Sequence, residues 1–419
     1  MEKLVIKGGK PLHGKVSISG AKNSSLPVIS ATILADGRYV LKNVPDLMDT
    51  RTMLRLMDGL GVSSERIQSD VAILNTENFE LYTADYELVR TMRASILVLG
   101  PLLSKRKRAK VSLPGGCAIG ERPVDLHMKA LSSMGADIKI EHGYIHASCE
   151  RLKGSHIYFD TVTVTGTENV IMAATLAEGR TVIENAAQEP EVVDLVRFLR
   201  SMGADIEGEG SKKIVINGVK QLHPADFSVM SDRIEAGTFL GCVAATGGSV
   251  EIENAPIWAM TSVLEKYAES GLNIDVEQGI IKASMDKRPR SCDATTQPYP
   301  GFPTDMQAQF MSLMAISSGT SVITENIFEN RFMHAAELKR MGADITIKDR
   351  VAIIKGVKNL SGAHVMASDL RASASLVIAA LAARGESQIH RIYHLDRGYE
   401  RFDKKLSELG AEILRVKDI

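Results

Sequence analysis

Apolar residues along the chain follow a helical spacing and then a strand-like alternation, and this succession recurs six times. Each predicted helix ends at a glycine, which suits the left-handed turn that closes a helix because glycine has no Cβ. In the third copy Val192, Leu195, Val196, Leu199 and Met202 fall on one helix face. The six glycines, spaced 68 to 74 residues apart, are Gly61, Gly135, Gly203, Gly271, Gly342 and Gly410. The pattern predicts six strand and helix repeats.

A second recurring feature is a strand that leads through a polar loop into a helix. The opening "LVIKGGKPLHGKVSISGAKNSS" matches "IVINGVKQLHPADFSVMSDRIE" from residue 214 and "AIIKGVKNLSGAHVMASDLRAS" from residue 352. We therefore expect the N-terminal strand to complete the sheet of the last repeat. Strand and helix units in two sets of three predict an α/β fold of two similar domains. We assign residues 1–20 with 230–419 to one domain and residues 21–229, which include Cys117, to the other.

Each repeat has its most polar residues just before its second predicted helix. The unpaired N–H groups of a helix N-terminus attract anions, although Ser, Asn and Asp are also ordinary helix caps. Basic residues occur in only some copies, as Lys22, Arg93 and Arg371, and they favour an anion-binding role there. The six stretches are 20–23, 91–95, 166–169, 231–235, 303–305 and 368–371.

The second repeat carries an insertion. The distance from the first residue of the strand to the closing glycine is 20 or 21 residues in the other repeats, as from Val40 to Gly61, but 24 from Val111 to Gly135. The surplus falls in "PGGCAIG", which contains Cys117. Extra loop length is often functional, and the glycines predict a loop that can move. A thiol near Arg122 should ionise readily and act as a nucleophile or acid; an incidental loop cysteine is the alternative.

Composition narrows the class of protein. The 419 residues are 44% hydrophobic and 24% charged with a net charge of −1, so no global field attracts nucleic acid or an anionic membrane. The N-terminus lacks the apolar core of a signal peptide, and "ILVLGPLL" is too short to span a bilayer. The four scattered cysteines predict reduced thiols, and the chain is interpreted as cytoplasmic.

Motifs for cofactors and metals are weak. "GKPLHGKV" at residues 9–16 resembles a phosphate-binding loop, but Val16 replaces the hydroxyl residue and a strand is predicted where a helix is required. "HGYIH" would place His142 and His146 on one face of a strand without further ligands nearby. We therefore predict neither a metal nor a cofactor.

Several long blocks carry a family resemblance over the whole chain. They are "GAKNSSLP" at 20–27, "TMRAS" at 91–95, "LPGGCAIGERPVDLH" at 113–127, "GTEN" at 166–169, "PGFPTDMQAQF" at 300–310, "ENIFENRFMHAAEL" at 325–338, "DLRASASL" at 369–376 and "HLDRGYE" at 394–400. On these blocks the chain resembles the UDP-N-acetylglucosamine enolpyruvyl transferases of the EPSP synthase-like family. The resemblance implies two inside-out α/β barrel domains of three repeats each, with the active site in the interdomain cleft.

The resemblance also implies a reaction. The family transfers the enolpyruvyl group of phosphoenolpyruvate to the 3-hydroxyl of UDP-N-acetylglucosamine and releases phosphate, by addition and elimination through a tetrahedral ketal. It uses no metal or organic cofactor, and its two partners are small-molecule substrates. This is the first committed step of peptidoglycan biosynthesis, in the cytoplasm. Cys117 matches the loop cysteine that protonates phosphoenolpyruvate, can form a covalent adduct with it and is the target of the epoxide fosfomycin.

The remaining site residues are carried over by position. Catalytic roles are implied for Cys117, Asp305, Lys22 and Arg397, with Asp305 as the base for the sugar hydroxyl. Phosphoenolpyruvate contacts are implied for Lys22, Asn23, Arg122 and Arg397. Contacts to the sugar nucleotide are implied for Arg93, Arg122, Pro123, Val124, Asp125, Leu126, Thr163, Val164, Asp305, Ile327 and Arg371. Thr165 and Met48 depart from the commoner glycine and lysine of relatives, so they leave the finer nucleotide contacts open.

Two other functions are compatible with parts of the pattern. The sister enzyme that uses shikimate 3-phosphate shares the phosphoenolpyruvate cations, but it has no equivalent of the "PGGCAIGERPVDL" loop. A non-catalytic six-repeat protein that binds nucleotide sugars would not need Lys22, Cys117, Arg122, Asp305 and Arg397 together. Oligomeric state, and whether this is an organism's main enzyme or a second paralogue, are left open.

Overall fold

The computed structural model describes residues 2–77, 79–113 and 124–418. Within these ranges the chain forms two compact units. Residues 2–19 with 231–418 are called the Asp305 unit below, and residues 20–113 with 124–230 are called the Lys22 unit. Which unit carries Cys117 stays a prediction, because residues 114–123 lie outside the described part of the chain. No helix in the described part is long and apolar enough to cross a bilayer.

The strands are short, and apolar residues alternate with polar ones along most of them, so each sheet buries one face. In chain order they are β1 Glu2–Lys7, β2 Leu12–Ser17, β3 Arg38–Lys42, β4 Ser63–Gln68, β5 Val71–Asn75, β6 Thr83–Ala84, β7 Arg108–Ser112, β8 Asp137–Glu141, β9 Tyr144–Ser148, β10 His156–Tyr158, β11 Arg180–Glu184, β12 Asp205–Glu207, β13 Lys213–Asn217, β14 Phe227–Ser228, β15 Gly248–Glu253, β16 Asn273–Glu277, β17 Ile280–Met285, β18 Ala294–Thr295, β19 Thr320–Thr324, β20 Asp344–Lys348, β21 Val351–Lys355, β22 His364–Met366, β23 Glu386–His390 and β24 Glu412–Lys417.

The helices alternate with these strands. In chain order they are α1 Lys22–Ala31, α2 Met48–Gly59, α3 Tyr86–Val89, α4 Leu99–Arg106, α5 Asp125–Ser133, α6 Val164–Ala174, α7 Pro190–Ser201, α8 Arg233–Thr246, α9 Thr261–Glu269, α10 Gln307–Ala315, α11 His334–Arg340, α12 Leu370–Ala382 and α13 Phe402–Glu408. Short 3-10 helices are formed by Thr32–Leu34, Arg93–Val98, Ile257–Ala259, Thr304–Met306 and Ile392–Arg397.

The described strands form six four-stranded sheets of the same design, three in each unit. In every sheet one edge strand is parallel to its neighbour and the other neighbouring strands are antiparallel. The Asp305 unit contains β22-β23-β1-β24, β16-β17-β15-β2 and β18-β19-β21-β20, and the Lys22 unit contains β10-β11-β13-β12, β14-β3-β5-β4 and β6-β7-β9-β8. The predicted α/β fold of six repeats is confirmed.

The N-terminal strand completes the last sheet, as predicted. Leu4 of β1 lies opposite Ile389 of β23 and Arg415 of β24, in antiparallel pairs. The next strand, β2, pairs in parallel with β15, so the opening segment serves two sheets of the Asp305 unit. Since β2 includes Val16, the residues that resemble a phosphate-binding loop lead into a strand and not into a helix.

Each unit keeps apolar helices at its centre and amphipathic helices nearer its surface. In the Asp305 unit α8, α10 and α12 pack against one another and are buried along nearly their whole length. In the Lys22 unit α6 packs against both α1 and α4, and α1 and α6 are buried along most of their length. A helix that is apolar on all sides must be surrounded by other elements. The central helices therefore explain the inside-out arrangement of both units.

The predicted helix-closing turns are observed. All six repeat glycines have φ between 92° and 100°, where a side chain would be strained. The helix read from the third copy is α7, and its predicted apolar face, including Leu195 and Leu199, is fully buried. The reading of "HGYIH" as one strand face is wrong. His142 has a φ of 50° and lies in the turn between β8 and β9, whereas His146 belongs to β9.

Candidate active site

Asp305 is the centre of an ion cluster in the Asp305 unit. It lies in the 3-10 helix that precedes α10, and its side chain is 26% exposed. Its Oδ1 accepts a hydrogen bond of 2.7 Å from Nη2 of Arg331. Its Oδ2 accepts bonds of 2.8 Å from Nη2 and 3.1 Å from Nε of Arg371. Charge-assisted bonds of this kind hold a carboxylate in one orientation.

Arg331 is placed by a second carboxylate. Its Nη1 donates to the Thr304 hydroxyl at 3.0 Å, and that hydroxyl donates to Oε2 of the buried Glu325 at 2.8 Å. Oε1 of Glu325 accepts the main-chain N–H of Ile327 at 2.8 Å. Glu325 therefore fixes both Arg331 and the loop of Ile327, a residue predicted to contact the nucleotide sugar.

Arg371 lies at the start of α12 and its side chain is only 2% exposed. Asp369 caps this helix by accepting the N–H of Arg371 at 2.9 Å. Burial alone would lower the pKa of Arg371, but the nearby negative charge of Asp305 raises it above its usual value. Its Nη1 is buried and has no hydrogen-bond partner among the described residues. The cation is thus permanently charged, and no described residue accepts a hydrogen bond from its Nη1.

Arg397 is the last residue of the 3-10 helix Ile392–Arg397, which packs against α12. Burial lowers the pKa of the neighbouring His394, and the charge of Arg397 lowers it further. Arg397 therefore belongs to the same packed region as Arg371 in this unit.

Lys22 is the first residue of α1 in the Lys22 unit, and Asn23 follows it. The Lys22 side chain is 13% exposed, and its Nζ lies 3.4 Å from Oδ2 of the buried Asp49. Ala21 precedes the helix and supplies no side-chain cap. The positive end of the helix dipole and the lysine charge therefore coincide, which suits an anion.

Asp194 of α7 holds the segment that carries Lys22. It accepts hydrogen bonds from the Ser24 hydroxyl and, at 3.0 Å, from the N–H of Met230. The carbonyl of Met230 in turn accepts the N–H of Ala21 at 2.8 Å. Burial raises the pKa of Asp194, although its hydrogen bonds oppose that shift.

His127 joins the elements of the predicted nucleotide wall. The amide of Asn169 donates to its Nδ1 at 3.0 Å, so Nε2 carries the proton and faces the Thr165 hydroxyl at 3.3 Å. The imidazole is buried, and burial followed by the charge of Arg93 lowers its pKa to about 4. His127 is therefore a neutral link between α5 and α6 at physiological pH.

The described wall residues occupy the starts of these two helices. Val124 precedes α5, which begins with Asp125 and continues with Leu126. The hydroxyl of Thr163 caps α6 by accepting the N–H of Gly166 at 3.2 Å, and Val164 begins the helix. These two helices pack against each other. The structure thus brings the described part of the wall together, and Arg93 starts a 3-10 helix that packs against both α1 and α6.

Three predicted site residues, Cys117, Arg122 and Pro123, lie outside the described residues. Burial raises the pKa of each of the other cysteines: Cys149, Cys242 and, to about 12, Cys292. Such thiols are poor nucleophiles at neutral pH. The described cysteines therefore fit structural roles, as interpreted from the sequence.

The structure adds residues to which the sequence analysis assigned no role. Arg331, Glu325 and His127 all lie within the sequence blocks that carried the family resemblance. The signal was therefore present, but their contacts depend on tertiary packing that the sequence pattern does not display. Met48, noted as a departure, begins α2 and is 44% exposed.

Comparison with known proteins defines the family. The profile of the family described as EPSP synthase (3-phosphoshikimate 1-carboxyvinyltransferase) matches residues 6–406. The chain belongs to this family. Among curated members, a UDP-N-acetylglucosamine 1-carboxyvinyltransferase of Geobacter metallireducens is 54% identical over 418 residues, covering 100% of both chains.

Solved structures of the family share the fold. The enolpyruvyl transferase NikO from Streptomyces tendae matches with a TM-score of 0.90 at 24% identity, over 100% of this chain and 99% of that one. An EPSP synthase from Acinetobacter baumannii matches with a TM-score of 0.76 at 22% identity, over 100% of both chains. At these identities the match establishes the fold alone, as two inside-out α/β domains.

Proposed function

We propose that this chain transfers the enolpyruvyl group of phosphoenolpyruvate to the 3-hydroxyl of UDP-N-acetylglucosamine and releases phosphate. The full-length relative at 54% identity, named for this reaction, is the observation that carries the choice of acceptor. The product would be a precursor of peptidoglycan, made in the cytoplasm. The reaction is proposed to use no metal or organic cofactor.

The chemistry requires an acid and a base. A proton is added to C3 of phosphoenolpyruvate, the sugar oxygen forms a bond to C2, and the hydroxyl proton leaves to a base, which gives a tetrahedral ketal. Loss of a proton from C3 and departure of phosphate from C2 then restore the double bond. We assign the acid to Cys117 and the base to Asp305. Asp305 supports this role because its carboxylate is fixed by two arginines yet remains 26% exposed.

Cations are proposed to bind phosphoenolpyruvate. Lys22, Arg122 and Arg397 would neutralise its phosphate and carboxylate, and Asn23 would add a hydrogen bond. Lys22 supports this assignment because it stands at the uncapped start of α1.

The sugar nucleotide is proposed to lie along the starts of α5 and α6. The wall would consist of Arg93, Arg122, Pro123, Val124, Asp125, Leu126, Thr163 and Val164, with Asp305, Ile327 and Arg371 on the sugar. The N-terminal N–H groups of α6 suit a diphosphate. Thr165 follows Val164 of this wall, and its hydroxyl lies 3.3 Å from Nε2 of His127. This hydrogen bond would help to set the position of the His127 ring, which connects α5 and α6.

The second candidate is transfer to shikimate 3-phosphate, because the matching family profile is named for that reaction. Phosphate release should be measured from phosphoenolpyruvate with UDP-N-acetylglucosamine and, separately, with shikimate 3-phosphate. We expect turnover with the nucleotide sugar only. Turnover with shikimate 3-phosphate alone would establish the second candidate, and turnover with neither acceptor would contradict both assignments.

A further inference from the structure

A buried hydrogen-bond chain lies directly behind the Asp305 cluster. Its members are Gln309 of α10, Tyr399 after the 3-10 helix Ile392–Arg397, and Thr238 of α8, and all three are fully buried or nearly so. Nε2 of Gln309 donates to the carbonyl oxygen of Asp305 at 2.8 Å and to the Tyr399 hydroxyl at 3.1 Å. The chain therefore starts at the main chain of the proposed base.

The bonds of Thr238, at the end of the chain away from Asp305, show which hydroxyl donates and which accepts. The Thr238 hydroxyl donates to the carbonyl of Ile234 at 2.7 Å, so its oxygen can only accept from Tyr399, 3.0 Å away. The Tyr399 hydroxyl thus donates to Thr238 and accepts from Gln309. Nε2 of Gln309 also lies 3.3 Å from the Thr238 hydroxyl, so its second hydrogen is shared between the hydroxyls of Tyr399 and Thr238. These bonds together hold the Tyr399 hydroxyl in one position.

The same ring supports Arg371. The guanidinium carbon of Arg371 lies 5.4 Å from the centre of the Tyr399 ring, within the range of a cation–π contact. Arg371 is the residue that binds Oδ2 of Asp305 through two nitrogens. Tyr399 therefore touches both supports of Asp305, the Arg371 side chain through its ring and the Asp305 main chain through Gln309.

We propose that Tyr399 is a positioning residue, which holds Arg371 and the Asp305 backbone so that the Asp305 carboxylate faces the acceptor hydroxyl. The inference rests on the proposed function of Asp305. Tyr399 does not touch the substrate in this account. Tyr399 contributes by holding the Asp305 carboxylate in place, because a catalytic base must lie within a fraction of an ångström of its working position.

Tyr399→Phe removes only the hydroxyl, and Tyr267→Phe is the matched control. Tyr267 of α9 is equally buried in the same unit, but its hydroxyl has no hydrogen-bond partner in the described part of the chain. With wild-type turnover on UDP-N-acetylglucosamine established first, we expect Tyr399→Phe to lower kcat about tenfold and to change both KM values less than about twofold. Tyr267→Phe should keep the wild-type kcat within about twofold.

A double variant separates positioning from general stability. If Tyr399 acts through Arg371, Tyr399→Phe combined with Arg371→Lys should be no slower than Arg371→Lys alone. The proposal would be overturned if the losses in kcat of the two single variants multiplied in the double variant, or if Tyr399→Phe had the same kcat as Tyr267→Phe.

A second variant tests the same hydrogen bond if Tyr399→Phe does not fold. Thr238→Val removes the acceptor of the Tyr399 hydroxyl and should lower kcat about threefold. A wild-type kcat in Thr238→Val would then overturn the proposal. Absence of wild-type turnover would instead count against the proposed function.

Discussion

The two units present polar side chains at the starts of their central helices, but they satisfy those helix ends differently. In the Asp305 unit, the carboxylates of Asp232 and Asp369 cap α8 and α12 by accepting main-chain N–H groups. In the Lys22 unit, α1 follows Ala21, which has no side-chain cap, and α6 has only the neutral hydroxyl of Thr163. Carboxylates therefore cap two of the three central helices of the Asp305 unit, α10 having no side-chain cap. No carboxylate caps α1 or α6, although Asp49 pairs with the Lys22 side chain at the start of α1.

This difference bears on how the units divide the proposed reaction. A helix start without a carboxylate keeps its positive potential for a phosphate group of a ligand. A helix start capped by a carboxylate is already neutralised, so an added anion gains less there. The comparison favours the Lys22 unit for substrate phosphates and the Asp305 unit for the acceptor hydroxyl.

The largest effect is expected where the Asp305 cluster is broken. Asp305→Asn removes the base and one charge from between two arginines, so we predict a loss in kcat of about 10²- to 10⁴-fold. Steady-state phosphate release checks this. Asp344→Asn, an exposed strand residue of the same unit, is the control and should keep the wild-type rate. A kcat for Asp305→Asn within about threefold of wild type would remove Asp305 from the mechanism.

A smaller effect is expected at the start of α1. Lys22→Met removes the charge that adds to the helix dipole, and we predict a rise in the KM for phosphoenolpyruvate of about 10- to 100-fold. Lys22→Arg should retain more of the affinity because the charge stays. Lys42→Met, on an exposed position of β3, serves as the control. An unchanged KM in Lys22→Met would show that the uncapped helix start does not bind the substrate anion.

The smallest expected effect is a change of protein stability with pH, caused by the buried neutral His127 of the Lys22 unit. The pKa of His127 is about 4 in the folded protein, against an ordinary value of 6.5. As the pH falls, the unfolded chain therefore takes up a proton at His127 before the folded protein does. The stability that the neutral imidazole contributes is present above pH 6.5 and is lost as the pH falls towards 4. We predict that His127 accounts for a loss of about 2 kcal/mol in the free energy of unfolding between pH 7 and pH 5.

Urea unfolding at the two pH values tests this prediction. His127→Gln should reduce the pH-dependent loss, whereas His13→Gln, an exposed position of β2, should not. If His127→Gln retained the full wild-type pH dependence, the imidazole would not be the group that titrates.

The sequence pattern was sufficient to predict the six repeats, but it was insufficient to predict the side-chain contacts around Asp305. Gly61 and its counterparts could be recognised because a left-handed turn has a local cause that one residue displays. The pairing of β1 with β24 followed from matching copies of one repeat. The bond from Arg331 to Asp305 could not be read in this way, because it joins residues 26 positions apart whose proximity depends on tertiary packing.

The central claim is that the enolpyruvyl group is transferred by addition and elimination, with Cys117 as the acid. The most direct measurement is mass or NMR analysis of the product formed in D₂O. Addition of a solvent-derived proton to C3, followed by loss of one of three hydrogens, predicts deuterium in the methylene group of the product, and none of this product with Cys117→Ser. A wild-type product whose methylene group carries no deuterium would contradict the account.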